Sequence, residues 1–145
     1  MMFFRAACTV LATLGLILSA LGAPAPTVDT IDAVHLEKRI THTGRGTWFH
    51  VGLGNCGKWN KDSDYIVAIS KDLYDNNKAS NCDQYVEITN TDNGRTIHAL
   101  TRDSCPSCGY YDLDLSPDAF KALAPLDQGV MKKMKWHFMN RNWHP

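Results

Sequence analysis

The chain has 145 residues, and its 15 Lys and Arg residues balance its 15 Asp and Glu residues. This length fits a single domain and excludes a large multidomain enzyme. Because the net charge is zero, no broad electrostatic field favours nucleic acid, and we expect no nucleic-acid partner.

The first 22 residues have the pattern of an export signal. Arg5 precedes an apolar run from Ala6 to Gly22, and small residues at positions 20 and 22 suit a cut before Ala23. The run contains hydroxyl residues and falls short of the roughly 20 apolar residues that a membrane span needs. A secreted protein is therefore predicted, with no membrane association after processing, and a membrane anchor is the alternative.

Residues 23–39 are predicted to be a propeptide. The segment shows no core-forming period and ends in the dibasic pair Lys38-Arg39, which resembles a processing site of the kexin type. An ordinary surface pair of basic residues is the alternative. Cleavage there leaves residues 40–145 as one neutral domain.

Four cysteines remain in this domain: Cys56, Cys82, Cys105 and Cys108. An even number in an exported chain indicates disulfides, for which three pairings are possible. Cys105 and Cys108 are close enough to pair locally, which leaves Cys56 for Cys82. A zinc site and a redox-active CxxC are the alternatives, but there is one CxxC motif and no surrounding thioredoxin-like pattern. The histidines lack paired ligand spacing, so we expect no metal and no cofactor.

Short strand patterns with polar turns follow from residue 41 onward and predict an all-β domain. The predicted strands are residues 46–50, 65–69, 85–89, 95–101 and 130–138. Residues 71–75 are expected to add a helical turn. Between the third and fourth strands, Asn93-Gly94 predicts a tight primed turn with positive φ angles.

One longer helix is predicted to begin after Ser116, which is a favourable N-cap residue and is followed by Pro117 at the first helical position. In the last predicted strand, apolar side chains alternate with basic ones. We therefore expect Met134, Trp136 and Phe138 to face the core, and Lys133, Lys135 and His137 to face solvent.

Five motifs follow one another along the chain: Gly46-Thr47-Trp48-Phe49, Asn55-Cys56-Gly57, Asn81-Cys82, Thr101-Arg102-Asp103-Ser104-Cys105-Pro106-Ser107-Cys108 and Leu113-Asp114-Leu115-Ser116-Pro117-Asp118-Ala119-Phe120. In this order they resemble the double-psi β-barrel family. That family includes barwin, RlpA-like proteins, the first domain of expansins, fungal loosenins and small secreted protease inhibitors. The resemblance covers about residues 41–138 and implies a six-stranded double-psi β-barrel with one or two short helices.

The resemblance also implies a polysaccharide groove. In glycan-active members, the residues that match Thr47, Asp103 and Asp114 line the groove, and activity depends on the aspartate that matches Asp114. The aromatic residues expected to flank this polar centre are Trp48, Phe49, Tyr110 and Tyr111. Aromatic rings stack on sugar faces, while carboxylates bind sugar hydroxyls.

Inverting glycoside hydrolysis needs two carboxyl groups, one as the acid and one as the base. If the protein is an enzyme, Asp114 and Asp103 are the predicted catalytic pair. The chain departs from hydrolytic members, however, because residues 109–114 replace their His-Phe-Asp run. We also expect a stand-alone barrel without a second, aromatic-rich domain. A purely structural capping role for Asp103, and an ordinary strand role for Thr47, are the alternatives.

The leading hypothesis is a secreted, monomeric, expansin- or loosenin-like protein that binds cellulose, chitin or another cell-wall glycan without hydrolysing it. The alternative is a barwin-like inhibitor of a secreted cysteine protease, in which residues 52–57 and 105–111 block the protease cleft. A weakly glycan-active or riboflavin-aldehyde-forming enzyme is the third hypothesis. We lean against catalysis.

Overall fold

The computed structural model describes residues 40–145. The predicted export signal at residues 1–22 and the predicted propeptide at residues 23–39 lie outside the described residues, so both stay predictions. The strands are β1 (His42–Trp48), β2 (Ile66–Ser70), β3 (Tyr85–Asn90), β4 (Thr96–Cys105), β5 (Leu113–Leu115) and β6 (Met131–Phe138). The helices are α1 (Lys71–Asn76) and α2 (Pro117–Leu123), followed by a 3₁₀ turn at Leu126–Gln128.

The strands close into a barrel in the order β1-β5-β2-β4-β3-β6. Strand β1 is parallel to β5 and β2 is parallel to β4, whereas the other neighbours are antiparallel. Closure pairs both sides of every strand and removes open sheet edges. This architecture confirms the predicted all-β, six-stranded barrel with two short helices.

The core fills the barrel from alternate positions of its strands. On β2, Val67 and Ile69 are fully buried in the hydrophobic cluster, as are Leu113 and Leu115 on β5. The Phe120 ring of α2 joins the same cluster. Because side chains alternate between the two faces of a strand, the residues between these apolar pairs face away from the core cluster. That alternation positions the candidate site described below.

The hairpin between β3 and β4 forms as predicted, but its turn does not. Asn90 donates its N–H to the Arg95 carbonyl at 2.9 Å, and Gly94 donates to the Asn90 carbonyl at 2.8 Å, so four residues form the loop. Gly94 has a φ of 74°, whereas Asn93 does not adopt a positive φ. The Asn93 side chain instead donates to the Leu123 carbonyl at 2.9 Å. The primed-turn prediction was wrong because this contact ties the loop to the end of α2.

The start of α2 also differs in detail from the prediction. Pro117 begins the helix as expected, but the Ser116 side chain makes no capping hydrogen bond. Its hydroxyl donates to the Asp64 carbonyl and accepts from the Ile66 N–H at 3.3 Å. Ser116 therefore connects the helix start to the entrance of β2.

His137 was predicted to face solvent, but it is buried, with 9% of its surface exposed. The pairing of β3 with β6 places it directly opposite Glu87, and its Nε2 lies 3.9 Å from a Glu87 carboxylate oxygen. The prediction was wrong because a polar partner on the neighbouring strand makes burial of the imidazole tolerable.

Two disulfides are present, Cys56–Cys82 and Cys105–Cys108, with Cα–Cα distances of 5.5 and 5.4 Å. They confirm the predicted pairing. Within residues 40–145, no helix has the length and apolar character needed to cross a membrane.

Candidate functional site

A row of paired residues crosses four adjacent strands. Thr47 on β1 is paired with Asp114 on β5, Asp114 is paired with Ala68 on β2, and Ala68 is paired with Asp103 on β4. Directly paired residues share one face of a sheet, and neighbouring strands lie about 4.8 Å apart, so the two aspartate backbones are roughly 10 Å apart. We call Thr47, Asp114, Ala68 and Asp103 the acidic row.

Asp114 is the central polar group of the acidic row. The Thr47 hydroxyl donates a hydrogen bond to its carboxylate at 2.6 Å. Burial raises the pKa of Asp114; the Thr47 hydrogen bond opposes this change, and the nearby charge of Asp103 adds to it. Asp114 therefore keeps its proton to higher pH than an exposed aspartate, so it is suited to donate a hydrogen bond or a proton.

Asp103 has a clear structural task. One of its carboxylate oxygens accepts from the backbone N–H groups of Asn55 and Ser104, each at 2.8 Å. The Asn55 side chain also donates to the Ser104 hydroxyl at 2.9 Å. Asp103 thus anchors the glycine-rich loop around Asn55 to the end of β4, which is the capping role considered as an alternative.

Tyr110 and Tyr111 lie on the loop that precedes β5, and 40% and 42% of their surfaces are exposed. Their ring centroids are 4.9 Å apart, and Tyr111 stacks on His42 at 4.5 Å. The Tyr110 carbonyl accepts from the Ser70 hydroxyl at 2.9 Å. The two rings are therefore held at a defined position on the surface.

Arg45 and Asp112 hold the same loop against β1. The Asp112 carboxylate accepts from the Arg45 backbone N–H at 2.7 Å and from its guanidinium at 2.8 and 3.0 Å. Burial acts to raise the pKa of Asp112, but the Arg45 hydrogen bonds and charge outweigh it and lower the pKa below its usual value. Sequence reasoning missed this pair because its members are 67 positions apart.

Trp48 and Phe49, which were expected to flank the polar centre, are not part of the acidic row. Trp48 packs against the hydrophobic core, and its indole N–H donates to the Leu126 carbonyl at 3.1 Å. It follows Thr47 on β1 and therefore faces the other side of that strand. Phe49 is half-buried and donates its backbone N–H to the Leu115 carbonyl at 3.0 Å.

The Cys105–Cys108 disulfide lies beside the acidic row. Both sulfur atoms and one Asp114 carboxylate oxygen lie within 4.8 Å of one another. Because the sulfurs are bonded to each other, the oxidised protein offers no cysteine thiolate as a metal ligand at this position.

A second exposed surface lies on the loop of residues 52–60, which we call the Trp59 loop. Leu53 and Trp59 form an isolated β-bridge, yet 58% and 79% of their surfaces are exposed. The Cys56–Cys82 disulfide fixes the loop from its middle. An open depression of about 420 Å³ lies next to it and is lined in part by Trp59, Tyr65 and Arg102. Sequence reasoning missed Trp59, although a tryptophan within a polar, glycine-rich loop is a signal that could have found it.

The papain inhibitor of Streptomyces mobaraensis is 38% identical over 102 residues, which is 67% of this chain and 71% of the relative. Expansin-like protein 1 of Dictyostelium discoideum is 32% identical over 94 residues, covering 58% of this chain and 32% of the relative. The chain thus spans about a third of that expansin-like relative. No family model matches the chain.

Solved structures give the same grouping. The Streptomyces papain inhibitor superposes with a TM-score of 0.61 at 37% identity, covering 70% of this chain and 96% of that one. A variant of the Clavibacter michiganensis expansin in complex with cellohexaose has a TM-score of 0.62 at 26% identity, covering 73% of this chain and 54% of that one. The present chain belongs to the double-psi β-barrel family, as the papain inhibitor does.

Proposed function

We propose that the protein is a secreted, expansin-like protein that binds cell-wall polysaccharide at the acidic row without hydrolysing it. The observation that carries this proposal is the alignment of Thr47, Asp114 and Asp103 across β1, β5, β2 and β4. The expansin-like relatives support it, and one structural relative holds cellohexaose.

The chemistry of the acidic row suits a carbohydrate. Sugar hydroxyls both donate and accept hydrogen bonds, and Asp114 with its raised pKa provides a donor or an acceptor according to pH. Thr47 adds a hydroxyl, and the exposed Tyr110 and Tyr111 rings add surfaces for stacking on sugars. Two disulfides fit an oxidising, extracellular environment.

The different hydrogen-bond partners of the two aspartates support binding without hydrolysis. Inverting hydrolysis needs a carboxylate that activates a water molecule opposite the acid. One Asp103 carboxylate oxygen accepts from both the Asn55 and the Ser104 backbone N–H groups, so Asp103 already has a structural task in holding the loop. Asp114 is then a candidate acid without a matched base.

The test compares the wild type with Asp114→Asn, Thr47→Val and a control, Asp118→Asn, in pull-down on cellulose, chitin and isolated cell-wall glycans. Asp118 is exposed on α2, so its substitution changes the charge in the same way as Asp114→Asn. We expect weaker binding for the first two variants, unchanged binding for the control, and no release of reducing sugars. Equal binding by all four folded proteins would contradict the proposal.

A second function, inhibition of a papain-like cysteine protease, is favoured by two observations. The papain inhibitor is 38% identical, and this chain covers 96% of its solved structure. The Trp59 loop also presents two exposed apolar side chains on a segment fixed by a disulfide. A rigid loop with an exposed tryptophan is typical of a protein-binding hot spot.

One pair of variants separates the two functions. Trp59→Ala removes an exposed side chain and should leave the fold intact, while Asp114→Asn changes only the acidic row. If the protein inhibits papain through the Trp59 loop, Trp59→Ala weakens inhibition by on the order of 10-fold or more, as loss of a hot spot does. The same change leaves glycan binding intact. Papain inhibition by the wild type without any glycan binding would make the second function the correct one.

A further inference from the structure

The two cysteines of the Cys105–Cys108 disulfide differ in how much of their surface is exposed. Cys105 ends β4 and is buried, with 6% of its surface exposed, whereas Cys108 is half-buried between the exposed residues Ser107 and Gly109. An incoming thiolate must reach one sulfur along the axis of the S–S bond, and the more accessible sulfur is attacked first. Cys108 is therefore the entry point, and Cys105 becomes the leaving sulfur.

The leaving sulfur has two polar neighbours. An Asp114 carboxylate oxygen lies within 4.8 Å of both sulfurs, and the Ser107 hydroxyl lies 3.6 Å from the Cys105 sulfur. A thiolate leaves more readily when its developing charge receives a proton or a hydrogen bond. Burial, the leading cause, keeps the pKa of Asp114 above its usual value, so the proton is retained to higher pH than on an exposed aspartate.

We propose that Cys105–Cys108 is a thiol–disulfide exchange site, in which Asp114 gives a proton to the Cys105 sulfur as the disulfide opens. The substrate class is a thiol, which supplies both electrons. A thiolate attacks Cys108, the S–S bond breaks, and its electron pair passes to Cys105, which takes the Asp114 proton. A second thiolate then attacks the substrate sulfur of the mixed disulfide, so that the substrate leaves as its own disulfide. Asp114 and Cys108 finally take up the protons of the two thiols.

The other disulfide also has a hydroxyl neighbour, but it differs in its remaining surroundings. Cys56 lies near the Thr101 carbonyl at 3.8 Å and Cys82 near the Tyr74 hydroxyl at 3.9 Å. Among residues 40–145, Asp114 and the Cys105–Cys108 disulfide form the cluster in which a carboxyl group lies close to both sulfurs. Cys56–Cys82 thus serves as an internal reference in the same molecule.

The pKa of Asp114 depends on the groups that face it from the neighbouring strands. Strand β1 contributes the Thr47 hydroxyl, β2 contributes the uncharged Ala68, and β4 contributes Asp103, whose charge raises the pKa of Asp114. On its own loop, Asp112 is paired with Arg45. Burial therefore has the largest effect on the pKa of Asp114, followed by the Thr47 hydrogen bond, which lowers it, and then by the charge of Asp103, which raises it.

The test treats the oxidised protein with dithiothreitol, stops the reaction with an alkylating reagent, and follows both disulfides by peptide mapping across the acid and neutral pH range. The rate is divided by the concentration of the dithiothreitol thiolate at each pH. We expect Cys105–Cys108 to open faster than Cys56–Cys82, and its normalised rate to fall as pH rises through the pKa of Asp114. With glutathione as the probe, the first mixed disulfide should form on Cys108.

Two variants complete the experiment: Asp114→Asn, and Asp92→Asn as a control on the exposed β3–β4 loop. At acid pH, Asp114→Asn should slow opening of Cys105–Cys108 by about tenfold. This effect is smaller than the roughly 10²- to 10⁴-fold contribution typical of general acids, because thiolates are already good leaving groups. The control should match the wild type. Equal rates for the two wild-type disulfides, or a normalised pH profile that is flat, would overturn the proposal even if no variant folds. These readouts need no glycan and no protease, so they are independent of the function proposed above.

Discussion

The two disulfides close loops of very different length, so we predict that their removal has different costs. Cys56 and Cys82 are separated by 26 residues, whereas Cys105 and Cys108 are separated by 3. In the chain-entropy model, the longer loop restricts the unfolded chain by about 3.5 kcal/mol and the shorter one by about 1.6 kcal/mol. Cys56→Ala with Cys82→Ala should therefore lower the free energy of unfolding by about 2 kcal/mol more than Cys105→Ala with Cys108→Ala.

Native contacts near Cys56 should largely survive loss of its disulfide. The Cys56 backbone N–H donates to the Arg102 carbonyl at 3.1 Å, and Asp103 still accepts from the Asn55 backbone. The loss of stability should then come mainly from the larger conformational entropy of the unfolded chain once the disulfide is removed. In a domain of this size, each kcal/mol lowers Tm by about 4–8 °C, so the longer disulfide accounts for roughly 15 °C or more.

The assay is equilibrium unfolding in urea of the domain that comprises residues 40–145, followed by tryptophan fluorescence and circular dichroism. The wild type and the two double variants are compared under the same conditions. Equal losses, or a larger loss for the Cys105 and Cys108 variant, would show that loop length does not determine the two contributions. Native contacts of the shorter disulfide would then be the dominant factor.

Three further changes test the acidic row and its supporting loop. The stability contributed by neutral Asp114 is present below the usual carboxyl pKa of 3.8 and is lost as pH rises through the raised pKa of Asp114. The free energy of unfolding in urea should therefore fall over this pH range for the wild type, but not for Asp114→Asn. Asp112 has the opposite sign: its stabilising ionised form is lost as pH falls through its lowered pKa, so Asp112→Asn should destabilise the domain at neutral pH and have little effect at strongly acid pH. Gly44→Ala places a Cβ 2.1 Å from the Tyr111 carbonyl oxygen, so thermal unfolding should show a lower Tm than for the wild type, with weaker glycan binding if the tyrosine loop moves. An unchanged Tm would contradict the close packing at Gly44.

Much of the barrel was predictable because its signals are local. The apolar run at residues 65–69, the alternation at residues 85–89 and the Pro117 helix start depend on neighbouring residues, and each appears in the structure within a few positions. The cysteine pairing also followed from spacing, since Cys105 and Cys108 are near enough to bond to each other. Such features depend on backbone preferences that act over a few residues.

The arrangement of the candidate site depended on register, which local sequence does not contain. Asp103 and Asp114 share a row because both are paired with Ala68, on a strand that comes much earlier in the chain. Another long-range pairing, that of β3 with β6, buries His137 opposite Glu87. The sequence by itself determined most of the strand segments and which cysteines pair, but its predicted strands did not include β5, and β1 lies at His42–Trp48 rather than at residues 46–50. Closure of the barrel decided which side chains meet, because a strand's neighbours are selected by packing of the whole core rather than by adjacent residues.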